Sequence, residues 1–236
     1  MDEHLHPTLD ALEKNFSPTS IFLYGSRART DATERSDYEL GIIFSKEQYA
    51  GHTELQTVVT QDGINVYPFE LEAFKAGNLD TPFNKNIYLQ EIIRAGETLR
   101  GEDIIGSVSR PDITTLDCLL DAEFNLGYAL GAIVANRSGA TIAANTMFYK
   151  SCLFATRALI LFKNKTLPLT YDDILLESAS LNLGAYATLV THAFNVRKGD
   201  YLHNASLFEN ITYINQFIIP TLKTALDTSG DTVLVS

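Results

Sequence analysis

Asp37 and Glu39 stand one residue apart in the stretch GSRARTDATERSDYELGIIF, which runs from Gly25 to Phe44. In an extended strand, side chains at i and i+2 share a face, so the two carboxylates project the same way about 6 to 7 Å apart. Two like charges held that close repel each other unless a cation sits between them, and hard oxygen ligands suit one or two Mg²⁺ ions. Twelve residues upstream of Asp37, Gly25 and Ser26 follow the apolar run Ile21 to Tyr24. A glycine turn after a buried strand, with a short helix opening at Ser26, presents free backbone N–H groups and a positive dipole end. That arrangement favours phosphate, and Arg27 and Arg29 are the nearest cations to neutralise one, with Arg35 a weaker third.

These groups need strands and turns to hold them. Before residue 110, short β-branched and aromatic runs alternate with turn signals: SIFLYG, YELGIIF, TVVTQDGINVYPF and ETLRG. Tyr38, Leu40 and Ile42 form the apolar face opposite Asp37 and Glu39. After residue 110, helical spacing takes over. Leu116, Leu119, Leu120, Phe124, Leu126 and Leu130 recur three or four apart, and TMFYKSCLFATRALILF is apolar almost all round, as a central helix would be. ASLNLGAYATLVTHAFNV and ASLFENITYINQFIIPTLKTAL predict two more helices, the second bent or broken near Pro220, with a frayed tail after Ala225. The chain therefore divides into an α+β domain over residues 1–105 and an all-α bundle over residues 112–228. Asp112 or Thr114 is the expected cap of the first bundle helix.

Composition narrows the function. The formal net charge is −11, and residues 1–105 hold 9 basic and 18 acidic groups, a balance of −9. Sequence-independent binding of nucleic acid relies on clustered cations and is not expected. No basic, apolar leader opens the chain, and no apolar run reaches the 18 to 20 residues that span a bilayer, so a cytoplasmic protein is expected. Cys118 and Cys152 sit among apolar residues without a CxxC pattern and read as buried thiols.

Strand, Gly-Ser, short helix and an Asp-x-Glu opening the next strand, here FLYGSRARTDATERSDYELGIIF, resemble the nucleotidyltransferase superfamily related to DNA polymerase β. The wording is most similar to the minimal and the aminoglycoside nucleotidyltransferases. The resemblance implies a mixed sheet with flanking helices, an NTP co-substrate and two Mg²⁺ ions. Gly25 and Ser26 would hold triphosphate oxygens, Arg27 or Arg29 would neutralise them, and Asp37 and Glu39 would be the catalytic metal ligands. It implies transfer of a nucleoside monophosphate to an acceptor hydroxyl, on a small molecule such as an aminoglycoside or on a macromolecule, releasing pyrophosphate. The family's third acid belongs on the strand read as INVYPF, where the matching slot falls on Asn65 or Tyr67; Glu70 has the opposite phase and could serve only through a bulge or strand-end turn. That departure keeps open a nucleotide-binding or toxin–antitoxin-type regulatory module. The helical half resembles the HEPN-like partner domains of minimal nucleotidyltransferases, some of which are RNases using an Arg and a His like Arg197 and His203. The patterned apolar surface of this half further predicts a homodimer.

Overall fold

In a computed structural model describing residues 2–34 and 36–236, the chain forms two compact units, Met1–Pro111 and Asp112–Ser236. Arg35 lies outside the described residues.

The first unit is a mixed four-stranded sheet covered by short helices. Its elements run α1 (His6–Phe16), β1 (Ser20–Tyr24), α2 (Gly25–Ala28), β2 (Tyr38–Phe44), α3 (His52–Gln56), β3 (Ile64–Glu70), α4 (Leu71–Lys75), α5 (Lys85–Ala95) and β4 (Glu97–Gly101). The spatial order is β3-β2-β1-β4, with β1 antiparallel to both β2 and β4, and β2 parallel to β3. All five residues of β1 are buried, as a central strand requires. Alternation along β2 sends Tyr38, Leu40, Ile42 and Phe44 into one apolar cluster with Leu5, Leu9 and Leu12. Ile43 joins the other, with Phe22, Tyr24, Phe69, Phe74, Leu89 and Ile92. Glu39 therefore stands on a strand gripped from both faces, and Asp37 immediately precedes that strand.

Gly41 makes room for that second cluster. A Cβ on it would lie 2.6 Å from Cε2 of the fully buried Phe22 ring. Gly41→Ala is expected to cost about 2 kcal/mol through overpacking, read as a lowered midpoint in chemical denaturation; an unchanged midpoint would contradict this packing.

The second unit is helical: β5 (Ile113–Thr114), α6 (Thr115–Arg137), α7 (Thr141–Asn164), α8 (Tyr171–Ser178), α9 (Ala187–Arg197), α10 (Asn204–Tyr213), α11 (Ile219–Ser229) and β6 (Val233–Val235). Thr114, one of the two expected caps, starts α6 in a reciprocal capping box with Asp117. α6 and α7 pack along each other, and Arg157 on α7 meets Asp121 on α6 at 3.6 Å, both side chains about 5% exposed or less. By length and composition alone, α6 is apolar enough to cross a membrane, which the sequence runs had not suggested. Here it carries Asp117, Asp121 and Asn125 among its buried residues.

Two expectations for the C-terminus are corrected. The helix does not break at Pro220 but is distorted just ahead of it: a π turn over Ile214–Ile218 joins α10 to α11 and places Pro220 near the start of α11. The tail after Ala225 is not frayed, because α11 continues to Ser229 and β6 pairs antiparallel with β5. Cys118 and Cys152 are free and buried, and burial pushes both thiols well above their ordinary range, so they behave as small apolar groups.

Candidate active site

Glu39 sits at one level of the sheet with Tyr24 and Asn65. The antiparallel register sets Tyr24 beside Glu39, and the parallel register sets Asn65 on its other side. Directly paired residues share a face, so all three side chains leave the sheet together. Gly25 follows Tyr24 at φ +73°, and a Cβ there would lie 2.8 Å from Glu39 Cδ. The chain thus turns under the Glu39 carboxylate, in a backbone conformation and a space that only glycine fits.

Asp37 lies just before β2, where the Tyr38 N–H donates to the Gly63 carbonyl at 2.7 Å. Its Oδ2 accepts from Asn65 Nδ2 at 3.2 Å. Asp37, Glu39 and the Gly25–Ser26 turn therefore meet at one end of the sheet. α2 opens at Gly25, leaving first-turn N–H groups without intrahelical acceptors, as a phosphate would want. Asp37 also borders a surface cleft of about 370 Å³ with His4, Arg27, Glu34, Ser36, Tyr38, Asp62 and Gly63. A second cleft, of about 320 Å³, includes Lys46, Tyr49, Glu70 and Asp80 and lies at the far ends of β2 and β3, away from the acid pair.

The two arginines hold different positions. Arg27 donates from Nε and Nη2 to the Ser36 carbonyl at 3.0 and 2.7 Å, and its guanidinium lies 3.9 Å from the Tyr38 ring centroid. It holds the loop that delivers Asp37 while still facing the cleft. Arg29 bonds Glu91 on α5 at 2.7 Å, with the two side chains only 9% and 13% exposed. That pair braces α2 against α5.

An aromatic wall backs Glu39. The Tyr24 ring meets those of Tyr67 and Tyr88 edge-on at 6.1 and 6.0 Å. Burial raises both the Tyr24 and the Tyr88 phenols well above their ordinary range, and the Glu39 charge adds to it. They stay neutral to alkaline pH and form a dry, uncharged boundary.

Of the three residues considered for the third position, Asn65 is the one that stands beside Glu39 and bonds Asp37. Tyr67 is one step further along, beside Gly41. Glu70 pairs with Phe44, five residues past Glu39, roughly 16 Å along the strand at 3.3 Å per residue. Its carboxylate accepts from the N–H groups of Glu72 and Ala73 as the cap of α4, so no bulge brings it to the site. In the second unit, the Arg197 guanidinium lies over Tyr171 at 4.5 Å, whereas the His203 ring meets His192 at a tilt and Tyr201 edge-on. The two side chains of the RNase expectation thus lean on different neighbours.

Among the described residues, no group of three or more His, Cys, Asp or Glu gathers as a metal centre. The donor set still fits Mg²⁺, which is commonly held by one or two carboxylates together with water and substrate phosphates rather than by a full protein cage. Two carboxylates beside a glycine turn with free N–H groups are such a set.

The sequence reading did not single out α5, which carries Tyr88 and Glu91. Its signal was available: Asn84 caps the helix by accepting from the Ile87 N–H, and Ile87 and Leu89 through Ile92 repeat at helical spacing.

Residues 8–99 match the family described as Polymerase beta, Nucleotidyltransferase. The first unit is a domain of the nucleotidyltransferase superfamily. Among solved structures, the chain is similar to the spectinomycin adenyltransferase AAD(9) from Enterococcus faecialis, determined with ATP and spectinomycin. The TM-score is 0.60 at 13% identity, covering 92% of this chain and 98% of that one. Likeness at that identity concerns the fold: a nucleotidyltransferase-type mixed sheet followed by a helical region. A sequence comparison with curated proteins gives no match. The acid pair and the glycine turn both fall within the matched stretch of the nucleotidyltransferase domain.

Proposed function

We propose that this protein is a Mg²⁺-dependent nucleotidyltransferase that moves a nucleoside monophosphate from an NTP to an acceptor hydroxyl. The acceptor oxygen bonds to the α-phosphorus as its hydroxyl proton passes to solvent, the bond from that phosphorus to the bridging oxygen breaks, and pyrophosphate departs. The observation that carries this reading is the convergence of Gly25, Asp37 and Glu39 at one end of the sheet, with Glu39 packed against the glycine turn. Gly25 and Ser26 would bind triphosphate oxygens through backbone N–H groups, and Asp37 and Glu39 would hold the metal. Bound Mg²⁺ would neutralise charge building up on the phosphate oxygens in the transition state. Arg27 fixes the Ser36–Asp37 loop and supplies positive charge at the cleft. Arg29 acts by holding α2 in place, and the tyrosine wall excludes water behind Glu39.

The donor is proposed as ATP and the acceptor as a cationic, hydroxyl-bearing small molecule such as an aminoglycoside. The AAD(9) structure, with its ATP and spectinomycin, supports that choice, as does the acidity of the first unit, since acidic clefts concentrate cations. Labelled ATP, CTP, GTP and UTP incubated with Mg²⁺ and candidate acceptors test it: acceptor-dependent pyrophosphate release supports the reading, and its absence with every pair removes it. A homodimer is proposed with it, favoured by the exposed Leu116, Leu120, Leu130 and Val134 on α6; light scattering that returns a monomer at micromolar concentration overturns the dimer.

One observation favours a second reading, nucleotide binding with little transfer: Asn65, not a carboxylate, stands beside Glu39 and bonds Asp37. Pyrophosphate release separates the two, and Asn65→Asp tests the metal site on which both depend. A third carboxylate beside the pair is expected to lower the metal-free melting temperature through like-charge repulsion and to enlarge the rise in melting temperature on adding Mg²⁺. If Mg²⁺ shifts neither the parent nor the variant, the acid pair is not a metal site.

A further inference from the structure

Two histidines of the helical unit meet although eleven positions separate them in the chain. His192 lies on α9 and His203 immediately before α10, and their rings stand 5.7 Å apart, centroid to centroid, at a tilt of 43°. The segment joining the helices is pinned. The Asp200 N–H donates to the Asn195 carbonyl at 3.2 Å, Leu202 is buried, and the Ser206 N–H donates to the His203 carbonyl at 3.0 Å. His192 is also held by its own ring. Its Nδ1 shares a 3.0 Å hydrogen bond with Oγ of the buried Ser206, and the ring packs against the fully buried Phe148 of α7 at 5.7 Å. α10 is fixed in turn, because Asn210, one turn on from Ser206, donates to Ser151 Oγ on α7 at 2.8 Å.

Packing gives poor reason for two imidazoles at this place. His203 stands where Ser, Thr, Asp or Asn would cap α10, yet its side chain makes no capping bond. Its ring is exposed and buries little apolar surface. Metal ligation accounts for both rings. A ligating histidine commonly gives one ring nitrogen to the metal and the other to a hydrogen-bond partner that fixes the ring. Ser206 is such a partner for His192, since a hydroxyl can accept the Nδ1–H of the tautomer that leaves the Nε2 lone pair free. Zn–N bonds of about 2.0 to 2.1 Å at a tetrahedral angle put two ligating rings roughly 5 to 5.5 Å apart, centroid to centroid. The two rings stand just beyond that range, within reach of a small turn of the exposed His203. Ligand type also sorts the cation: imidazole suits Zn²⁺, Cu²⁺ and Ni²⁺, whereas Mg²⁺ prefers carboxylate oxygen. The N-terminus of α10 opposes any cation over its first turn, an effect that two metal–nitrogen bonds outweigh.

We propose that His192 and His203 are the protein ligands of a site for a late first-row divalent cation, Zn²⁺ being the probe, with water completing the coordination. The site shares no residue with Gly25, Asp37 or Glu39, so its test needs no transfer reaction. Zinc chloride is titrated calorimetrically into full-length protein in excess Mg²⁺. One tightest Zn²⁺ site per chain is expected, and His203→Ala and His192→Gln are each expected to weaken it at least tenfold. Ser206→Ala keeps both rings and removes the hydroxyl, and is expected to weaken it about tenfold. In NMR spectra, substoichiometric Zn²⁺ is expected to shift the ring signals of His192 and His203 before those of His4, His6 and His52. Because His203 is exposed, His203→Ala should melt with the parent in the absence of zinc, so its lost affinity reads ligation rather than folding. Should His192→Gln fail to fold, His203→Ala and the ring signals decide. Unchanged Zn²⁺ affinity in His203→Ala, first shifts at His4, His6 or His52, or displacement of Zn²⁺ by Mg²⁺ overturns the proposal.

Discussion

Alanine at position 25 is expected to lose nucleotidyl transfer by about 100-fold or more while the fold survives. Two effects act in the same direction. At φ +73° a side chain strains the backbone by roughly 1 to 2 kcal/mol. The added Cβ would also fall 2.8 Å from Glu39 Cδ, so either the carboxylate or the turn must move. Displacements of about 1 Å in a positioned site commonly cost on the order of 100-fold in rate. Acceptor-dependent pyrophosphate release gives the activity, and thermal melting gives the stability. The expected pattern is a large loss of rate beside a modest loss of stability. Full activity in Gly25→Ala would mean that the turn and Glu39 do not form one site.

Replacing Asp37 by Asn together with Glu39 by Gln should reduce transfer by about 1,000-fold or more, because the positions that would hold Mg²⁺ lose their charge. Stability should move the opposite way. The two carboxylates project from one end of the sheet, where like charges repel, so the metal-free double variant should melt at or above the parent temperature. The parent should rise on adding Mg²⁺ and the variant should not. Transfer unchanged in the double variant would show that the assigned site is wrong. Unfolding of the metal-free variant would show that the pair is structural.

The parts of the site written in neighbouring residues were legible. Alternation along Tyr38 to Phe44 set which side chains are buried, and the structure sends Tyr38, Leu40 and Ile42 to one core as that pattern requires. The glycine after Tyr24 announced a turn, and its φ is positive. Thr114 was one of two expected caps, with Asp112, and it is the one that forms the capping box. Elsewhere the local signal pointed in more than one direction. Glu70 is an acid close to the expected strand position, yet helix α4 takes its carboxylate as a cap. Pro220 is a helix breaker, yet a π turn absorbs it within a continuous helical run. The tail looks too polar to hold, yet β5 gives it a strand to pair with.

By itself, the sequence determined the strand, the glycine turn, the order of the groups proposed to face phosphate and metal, and the change from mixed sheet to helices near residue 110. These follow from φ preferences and from periods of 2 and 3.6, which act over a few residues. Only the tertiary structure decided which partner each charge has. Arg29 meets Glu91, Arg27 holds Ser36, and Asn65 arrives beside Glu39 through the parallel register of β2 and β3. Sheet register and helix packing join residues far apart in the chain, and a one-residue slip of β3 would have turned Asn65 to the opposite face. The acid pair was written locally, but only that register placed Asn65, an amide and not a carboxylate, beside Glu39.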